Sequence, residues 1–376
     1  MRVTMVNKYY PPHLGGIEYH MRDLATALAS RENDVRVVVA NEGRDSVSER
    51  VDGVHVTRLG RAFAYASTPV ALGMRRAIRD QAAGESPTDL LHLHFPYPWG
   101  EVSWLTARPG IPTVMTYHSD IVRQKTLLAL YAPVLRRVLD RVDLVIASSP
   151  DMVEHSPFLS RIAEKCRVVP FGIDVDRFDL DTDGMARAAT IRAMHPRPIV
   201  LFVGRLVYYK GVDVLVEAMA SVDADLVIVG TGPLEGQLRA RIAELGMGER
   251  VTLLPSLEAG HLALWFNAAH VFCLPSVARS EAFGLVQLEA HASGTPVVST
   301  RLTTGVPFVN ADGVTGLTVT PGDVGELSEA LRTLVADESL RDRLGRQAKE
   351  RARAEFTIDR MVEDTLAVYH EATEVV

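Results

Sequence analysis

Apolar, β-branched runs of strand length alternate with helix-period segments along nearly the whole chain, and the alternation runs through twice. The first pass places strands over 3–6, 35–39, 90–94, 113–116 and 144–147, with helices over 19–30 and 125–139. Strands that are apolar throughout are buried on both faces, and helical crossovers make neighbouring strands parallel, so this pass predicts a parallel sheet covered by helices. A polar stretch over 179–197 reads as a hinge linker. The pattern then resumes with strands over 199–203, 226–229, 251–254, 271–274 and 297–299, and helices over 213–220, 233–245, 283–292 and 326–336. The fold class is therefore α/β, with two Rossmann-like doubly wound domains over 1–178 and 179–355. Such a pair places a ligand crevice where the carboxyl ends of the two sheets face each other.

Length agrees, since 376 residues exceed what one hydrophobic core usually supports, and a 47% hydrophobic fraction can fill two. The net charge of −7 argues against a nucleic-acid partner. Residues 1–178 carry 22 Lys and Arg against 20 Asp and Glu, and 179–376 carry 18 against 27, so the first half is the one suited to an anionic partner. Cys166 and Cys273 are the only two cysteines and read as core thiols in a reducing compartment. No run of about 18 uncharged apolar residues occurs, and the apolar start at 3–6 is too short for a signal peptide, so the chain is expected in the cytosol.

Chemistry-bearing residues collect where strands end and helices begin. Gly15-Gly16 follows the first strand, where backbone N–H groups without a Cβ can approach a phosphate, although a glycine pair in a loop is by itself a turn. Gly204-Arg205 follows the strand over 199–203 and Lys210-Gly211 opens the next helix; a planar fork and a point charge at one strand end form a clamp for a diphosphate, or a solvated surface pair. Gly230-Thr231-Gly232-Pro233 lacks the third glycine of a dinucleotide fingerprint and reads as a tight turn with Pro233 at the first helical position. The strongest signal runs from Pro275 to Ala290. Glu281 falls in the loop and Glu289 two turns into the helix, while the free N–H groups of Phe283, Gly284 and Leu285 crown the helix start, a setting in which carboxylates can orient sugar hydroxyls and a ribose diol.

Together, Gly15-Gly16, the run from Gly204-Arg205 to Lys210-Gly211, the segment from Pro170 to Phe178 and the Glu281/Glu289 pair resemble family 4 retaining glycosyltransferases of the GT-B fold, over nearly the whole chain. The resemblance implies that Arg205 and Lys210 hold the donor diphosphate and that Glu289 binds the ribose. It also implies that Glu281, with the backbone of Ala282, Phe283, Gly284 and Leu285, holds the transferred sugar, and that His118 lies near the sugar 6-position. Gly15 and Gly16 join the donor contacts, and the base sits near Leu254. The helix over 356–376 crosses back to the first domain. Ala282 stands where proline is more usual, and Thr303-Thr304-Gly305-Val306 replaces a common Gly-Gly turn beside the donor.

The implied reaction moves a hexose from a nucleoside-diphosphate sugar, GDP-mannose ahead of a UDP-hexose, to a glycan, lipid-linked or small-molecule acceptor, with no cofactor and no metal. His94, Tyr97 and Asp120 are the acceptor candidates, with Phe95 and Trp99 completing a wall. His92 and His94 share one side of a strand, but no third metal ligand follows at a suitable spacing. Asp174-Val175-Asp176 reads as hinge structure. Arg75, Arg76 and Arg79, with Arg123, Lys125, Arg136, Arg137 and Arg141 around the apolar stretch 126–135, give the composition of an interfacial helix, or of a solvated face. Two rival readings remain: a nucleotide-sugar-binding protein without transfer activity, and a nicotinamide-dependent oxidoreductase, for which neither domain supplies the Gly-x-Gly-x-x-Gly with its acidic partner.

Overall fold

A computed structural model describes residues 1–13, 15–65, 68–122 and 125–374, and within them the Lys125 side chain is left undescribed. Arg123 of the basic cluster lies outside the described residues. The chain divides into one unit over Met1–Gly172 and Ile358–Val376 and a second over Ile173–Thr357. The division falls at 172/173 rather than at 178/179, because Val175 and Phe178 are buried in the second unit's core.

The first unit holds an eight-stranded sheet. Its strands are β1 (Arg2–Val6), β2 (Asp34–Ala40), β3 (Val47–Val51) and β4 (Val54–Leu59), followed after a small ribbon, β5 (Phe63–Tyr65) and β6 (Thr68–Val70), by β7 (Leu90–Phe95), β8 (Thr113–Tyr117), β9 (Leu144–Ala147) and β10 (Cys166–Val168). The spatial order is β10-β9-β8-β7-β1-β2-β4-β3. All neighbours are parallel except the edge pair β3 and β4. That hairpin turns on Asp52 and Gly53, both at positive φ, the turn chemistry that an Asp-Gly pair favours. The chain winds outward from β1 through β2 and then returns to place β7 on β1's other side, so the topological switch point lies between β1 and β7.

Helices α1 (Gly16–Ala29), α2 (Met74–Ala83), α3 (Pro98–Ala107), α4 (Lys125–Arg141) and α5 (Pro150–His155) connect these strands. On α1, Met21, Leu24, Ala25 and Leu28 recur at helical spacing and enter the core with Val3, Met5 and Val37.

In the second unit β11 (Ile199–Val203), β12 (Asp225–Val229), β13 (Val251–Leu254), β14 (Val271–Leu274), β15 (Val297–Thr300) and β16 (Gly316–Val319) form a parallel sheet in the order β13-β12-β11-β14-β15-β16. Its switch point falls between β11 and β14. The helices are α6 (Thr182–Ala193), α7 (Val212–Met219), α8 (Glu235–Glu244), α9 (Ala259–Ala268), α10 (Leu285–Ala292), α11 (Gly305–Val309), α12 (Val324–Ala336) and α13 (Glu338–Glu355), and the last helix, α14 (Ile358–Glu374), belongs to the first unit.

The hinge expected over 179–197 is instead mostly α6. Asp181 caps it by accepting from the Gly184 N–H at 2.7 Å, and α6 packs on α9. α13 escapes a search for apolar stripes because its buried side is Leu344, Gly345, Ala348 and Ala352, mostly small residues in a charged sequence. Pro233 lies in a turn ahead of α8 rather than at its first position. α14 inserts Met361, Val362, Val368, Tyr369 and Ala372 into the first unit's core.

Candidate active site

In the second unit, the loops after adjacent strands are locked to one another. Gly204, at φ +154, donates its N–H to Val229 O at 3.0 Å, and Gly230 donates to Leu254 O at 3.0 Å. A Cβ on Gly230 would collide with the Gly204 carbonyl, and one on Gly232 with the Leu206 backbone. These glycines therefore serve loop-on-loop packing, which accounts for the partial dinucleotide fingerprint without a nucleotide. Gly211 has φ +65, and the Pro275 carbonyl occupies the place of its Cβ; Val277 N–H donates to Tyr209 O at 2.8 Å. The Lys210 turn is thus held against the loop that follows β14.

That attachment brings Lys210 Nζ to 2.6 Å from Glu281 Oε2, with side-chain exposures of 12% and 10%. Ser276 Oγ donates to the same carboxylate oxygen at 3.1 Å. The family resemblance assigns the two charges to different parts of a donor, and their sequence spacing did not reveal that they pair. Arg205 is exposed. Burial raises the Tyr209 phenol while Lys210 and Arg205 both pull it down, so both cations act on one spot.

Gly284, at φ +74, precedes α10, a backbone that favours glycine there. One side of α10 carries Glu289, whose carboxyl is pushed up to about 7 by burial, against the pull of Arg177 and Lys210. The departing loop at 303–306 is tied to this segment: Gly305 N–H donates to Ala282 O at 2.7 Å and Arg279 donates to Thr303 O at 2.7 Å. Leu254 ends β13 half-buried.

In the first unit, Gly15 and Gly16 begin α1 at its switch point. Added bulk at Gly15 would strike the Glu18 carboxylate, whereas nothing lies within 4 Å of a Cβ on Gly16. Three histidines gather nearby. His94 on β7 and His118 just beyond β8 face each other, with His94 Nδ1 and His118 Nε2 at 3.0 Å, and His20 on α1 sets its ring edge-on to His118 at 5.1 Å. Each offers one ligand atom within 4.8 Å of the others. The sequence showed no third ligand beside His92 and His94 because His20 and His118 arrive from other elements.

His92 is engaged elsewhere, with Nδ1 at 2.6 Å from the Tyr369 hydroxyl and Nε2 at 2.7 Å from Thr116 Oγ1.

The expected acceptor wall is corrected by burial. Phe95 and Tyr97 are core residues, and the Tyr97 hydroxyl donates to Pro69 O at 3.2 Å, so neither presents a surface. His94 is likewise buried. Asp120 is half-buried and accepts from Tyr117 at 2.8 Å and Ser156 at 2.7 Å. Glu101, which drew no notice in the sequence, is fully enclosed; it accepts from Tyr97 N–H at 2.7 Å and from the Tyr131 hydroxyl, and burial pushes it up to about 8.

Residues 189–351 match the family model for glycosyl transferases group 1, and residues 14–177 match that for glycosyltransferase family 4. O-antigen chain mannosyltransferase C of Escherichia coli is 34% identical over 98% of both chains. The chain belongs to glycosyltransferase family 4. D-rhamnosyltransferase WbpZ of Pseudomonas aeruginosa is also 34% identical, over 95% of this chain and 92% of its own. Among solved structures, sucrose-phosphate synthase from Thermosynechococcus elongatus superimposes with TM-score 0.82 at 25% identity over the whole of both chains. HepE of Anabaena, in complex with UDP and glucose, shares the fold at 20% identity and TM-score 0.78, over 98% of this chain and 99% of its own. This family 4 glycosyltransferase is therefore of the GT-B type, with two Rossmann-like units.

Proposed function

We propose that this glycosyltransferase moves a hexose, mannose ahead of others, from a nucleoside-diphosphate sugar to a glycan, lipid-linked or small-molecule acceptor, with retention and without a divalent cation or cofactor. The Lys210–Glu281 pair carries the reading. An arriving diphosphate offers Lys210 a stronger anionic partner, and the Glu281 oxygen so released can accept hydroxyls of the attached sugar. One exchange thereby engages both halves of a donor. Arg205 adds a second cation at the leaving group, which does the work a metal ion does elsewhere. Glu289 takes the ribose, and His118 takes the sugar 6-position, as the family resemblance implies.

Mannose is favoured because the Escherichia coli relative is named a mannosyltransferase, and GDP is put ahead of UDP on the family resemblance. A thermal-shift screen against nucleoside diphosphates, followed by transfer of radiolabelled mannose from GDP-mannose, tests the reading. Stabilisation by GDP and product formation at undiminished rate in EDTA are expected. Binding without transfer or hydrolysis would leave a nucleotide-sugar-binding protein, and dependence on Mg²⁺ or Mn²⁺ would overturn the metal-free step.

The protein also touches anionic lipid in this reading. Arg75, Arg76 and Arg79 are exposed on α2, and α4 exposes Leu127 and Leu130 along with Arg136, Arg137 and Arg141. Met74, Ile78 and Ala82 face inward, so contact through α2 is electrostatic rather than insertive. Among the described residues no helix is long and apolar enough to cross a membrane. Flotation with anionic vesicles at low salt is the expected result.

A further inference from the structure

His94 and His118 are both buried, and burial holds both imidazoles well below their usual range, so each is neutral at pH 7 and carries one ring proton. They share one hydrogen bond, between His94 Nδ1 and His118 Nε2 at 3.0 Å. One nitrogen must donate and the other accept. The decisive atom is the far nitrogen of His94: Nε2 is enclosed with no hydrogen-bond partner. A proton there would be a buried N–H with nothing to receive it, a group proteins seldom tolerate, whereas an unpaired lone pair is the lesser penalty. The His94 proton therefore belongs on Nδ1, pointing at His118. His118 Nε2 must then accept, which forces its own proton onto Nδ1.

The register of the strands builds this arrangement. His94 pairs with Thr116 across β7 and β8, and His118 N–H donates to Phe95 O at 3.1 Å, so the backbone fixes both rings at adjacent strand ends. His20 presses edge-on against His118 and lies 4.3 Å, centroid to centroid, from Phe171, which restricts rotation of the ring. A metal ion held through the two facing nitrogens would break the 3.0 Å bond and strand a proton on His94 Nε2, so the cluster suits a hydrogen-bonded imidazole pair better than a metal centre.

We propose that His94 is a positioning residue that locks His118 in the Nδ1–H tautomer, so that His118 meets the substrate as a hydrogen-bond donor and not as a base. The tautomer itself is independent of the assigned function; its use rests on the reading that His118 faces the transferred sugar. A donor imidazole there can hold a sugar hydroxyl oxygen, and it has no lone pair with which to take the acceptor's proton.

Nitrogen-15 NMR of histidine-labelled protein shows which ring nitrogen is protonated, and loss of one imidazole's signals in His118→Asn assigns the ring. In the unaltered enzyme His118 is expected wholly as the neutral Nδ1–H form. In His94→Phe and His94→Asn it should move toward the Nε2–H form or a mixture, with kcat lower by about tenfold or more and donor KM little changed, because a neighbour that sets a tautomer acts on the reacting geometry. Nε2–H or a charged ring in the unaltered enzyme would overturn the proposal, as would an unchanged tautomer in both variants. Because the spectrum of the unaltered enzyme can refute the tautomer without any variant, misfolded variants do not shelter the idea. Normal transfer by His118→Asn together with the expected tautomer would instead sink the assignment of His118 to the sugar and leave the tautomer standing.

Discussion

Lys210 and Glu281 meet at 2.6 Å across two loops that end different strands of one sheet, and neither side chain is much exposed. Removing Lys210 leaves the carboxylate with Ser276 as its remaining hydrogen-bond donor among the described contacts. Lys210→Ala should therefore lower the melting temperature as well as turnover, and a companion Glu281→Gln change should restore much of the stability by removing the stranded charge. Arg205→Ala removes an exposed cation and should leave melting unaltered. Each single alanine variant is expected to lower kcat by roughly 100- to 1,000-fold, the effect of deleting a preorganised group that faces developing charge. Near-normal turnover in both would remove the diphosphate clamp.

If Glu289 holds the ribose as proposed, donor binding is expected to depend on pH. Its carboxyl stands raised to about 7 in the folded chain against an ordinary 4.5, with burial the leading cause. The neutral form is the better accommodated one, so the associated stability is fully present below about pH 4.5 and is lost as pH rises through about 7. A ribose diol, by contrast, is best held by the ionised acceptor. Nucleoside-diphosphate affinity should rise with pH through about 7 in the unaltered enzyme and stay flat in Glu289→Gln, by calorimetric titration. A flat profile in both would detach Glu289 from the nucleotide.

Glu101 should shape stability rather than binding. Burial pushes it up to about 8, and both its hydrogen bonds come from donors, Tyr97 N–H and the Tyr131 hydroxyl. Protonation is favoured on folding, so stability is greatest below the ordinary 4.5 and falls as pH rises through about 8. Glutamine can accept from Tyr97 N–H through its one oxygen and donate its amide N–H to the Tyr131 hydroxyl, without charge. Melting curves from about pH 5 to about pH 9 should therefore show a smaller alkaline decline in Glu101→Gln than in the unaltered enzyme. An identical decline would mean that Glu101 does not titrate in this window.

Ten strands of the two sheets were legible because each is a short apolar run, and the switch-point loops because glycine and charge recur where those runs end; β3, β4, β10 and β16 were not foreseen, and β3 carries Ser48, Glu49 and Arg50 at an exposed sheet edge. What stayed hidden was either small or non-local. α13 buries glycine and alanine where an apolar stripe was sought, and α6 lies in a polar stretch whose strongest signal, Asp181 as a cap, is a single residue. The Lys210–Glu281 pair, the His20–His94–His118 cluster and the enclosure of Glu101 each depend on which elements the sheet order makes neighbours, and no local spacing encodes that. Tyr97 illustrates the opposite error: a strand-end aromatic reads as a binding surface until packing shows it inside.

The final prediction concerns the anomeric carbon. Inversion requires a base on the face opposite the leaving group, placed to take the acceptor's proton. In the second unit Glu281, released from Lys210 by the diphosphate in this reading, is taken up by hydroxyls of the sugar, and Glu289 is assigned to the ribose, which leaves neither carboxylate for that task. With its proton on Nδ1 and its Nε2 bonded to His94, His118 has no lone pair to offer. Positive charge from Lys210 and Arg205 instead favours early departure of the diphosphate, whose freed oxygen can take the acceptor proton on the same face as the bond forms. An α-linked donor should accordingly give an α-linked product. Proton NMR of the first product formed, read through the anomeric coupling before any equilibration, decides the matter. A β-linked product would overturn the front-face route and require a base other than Glu281, Glu289 and His118.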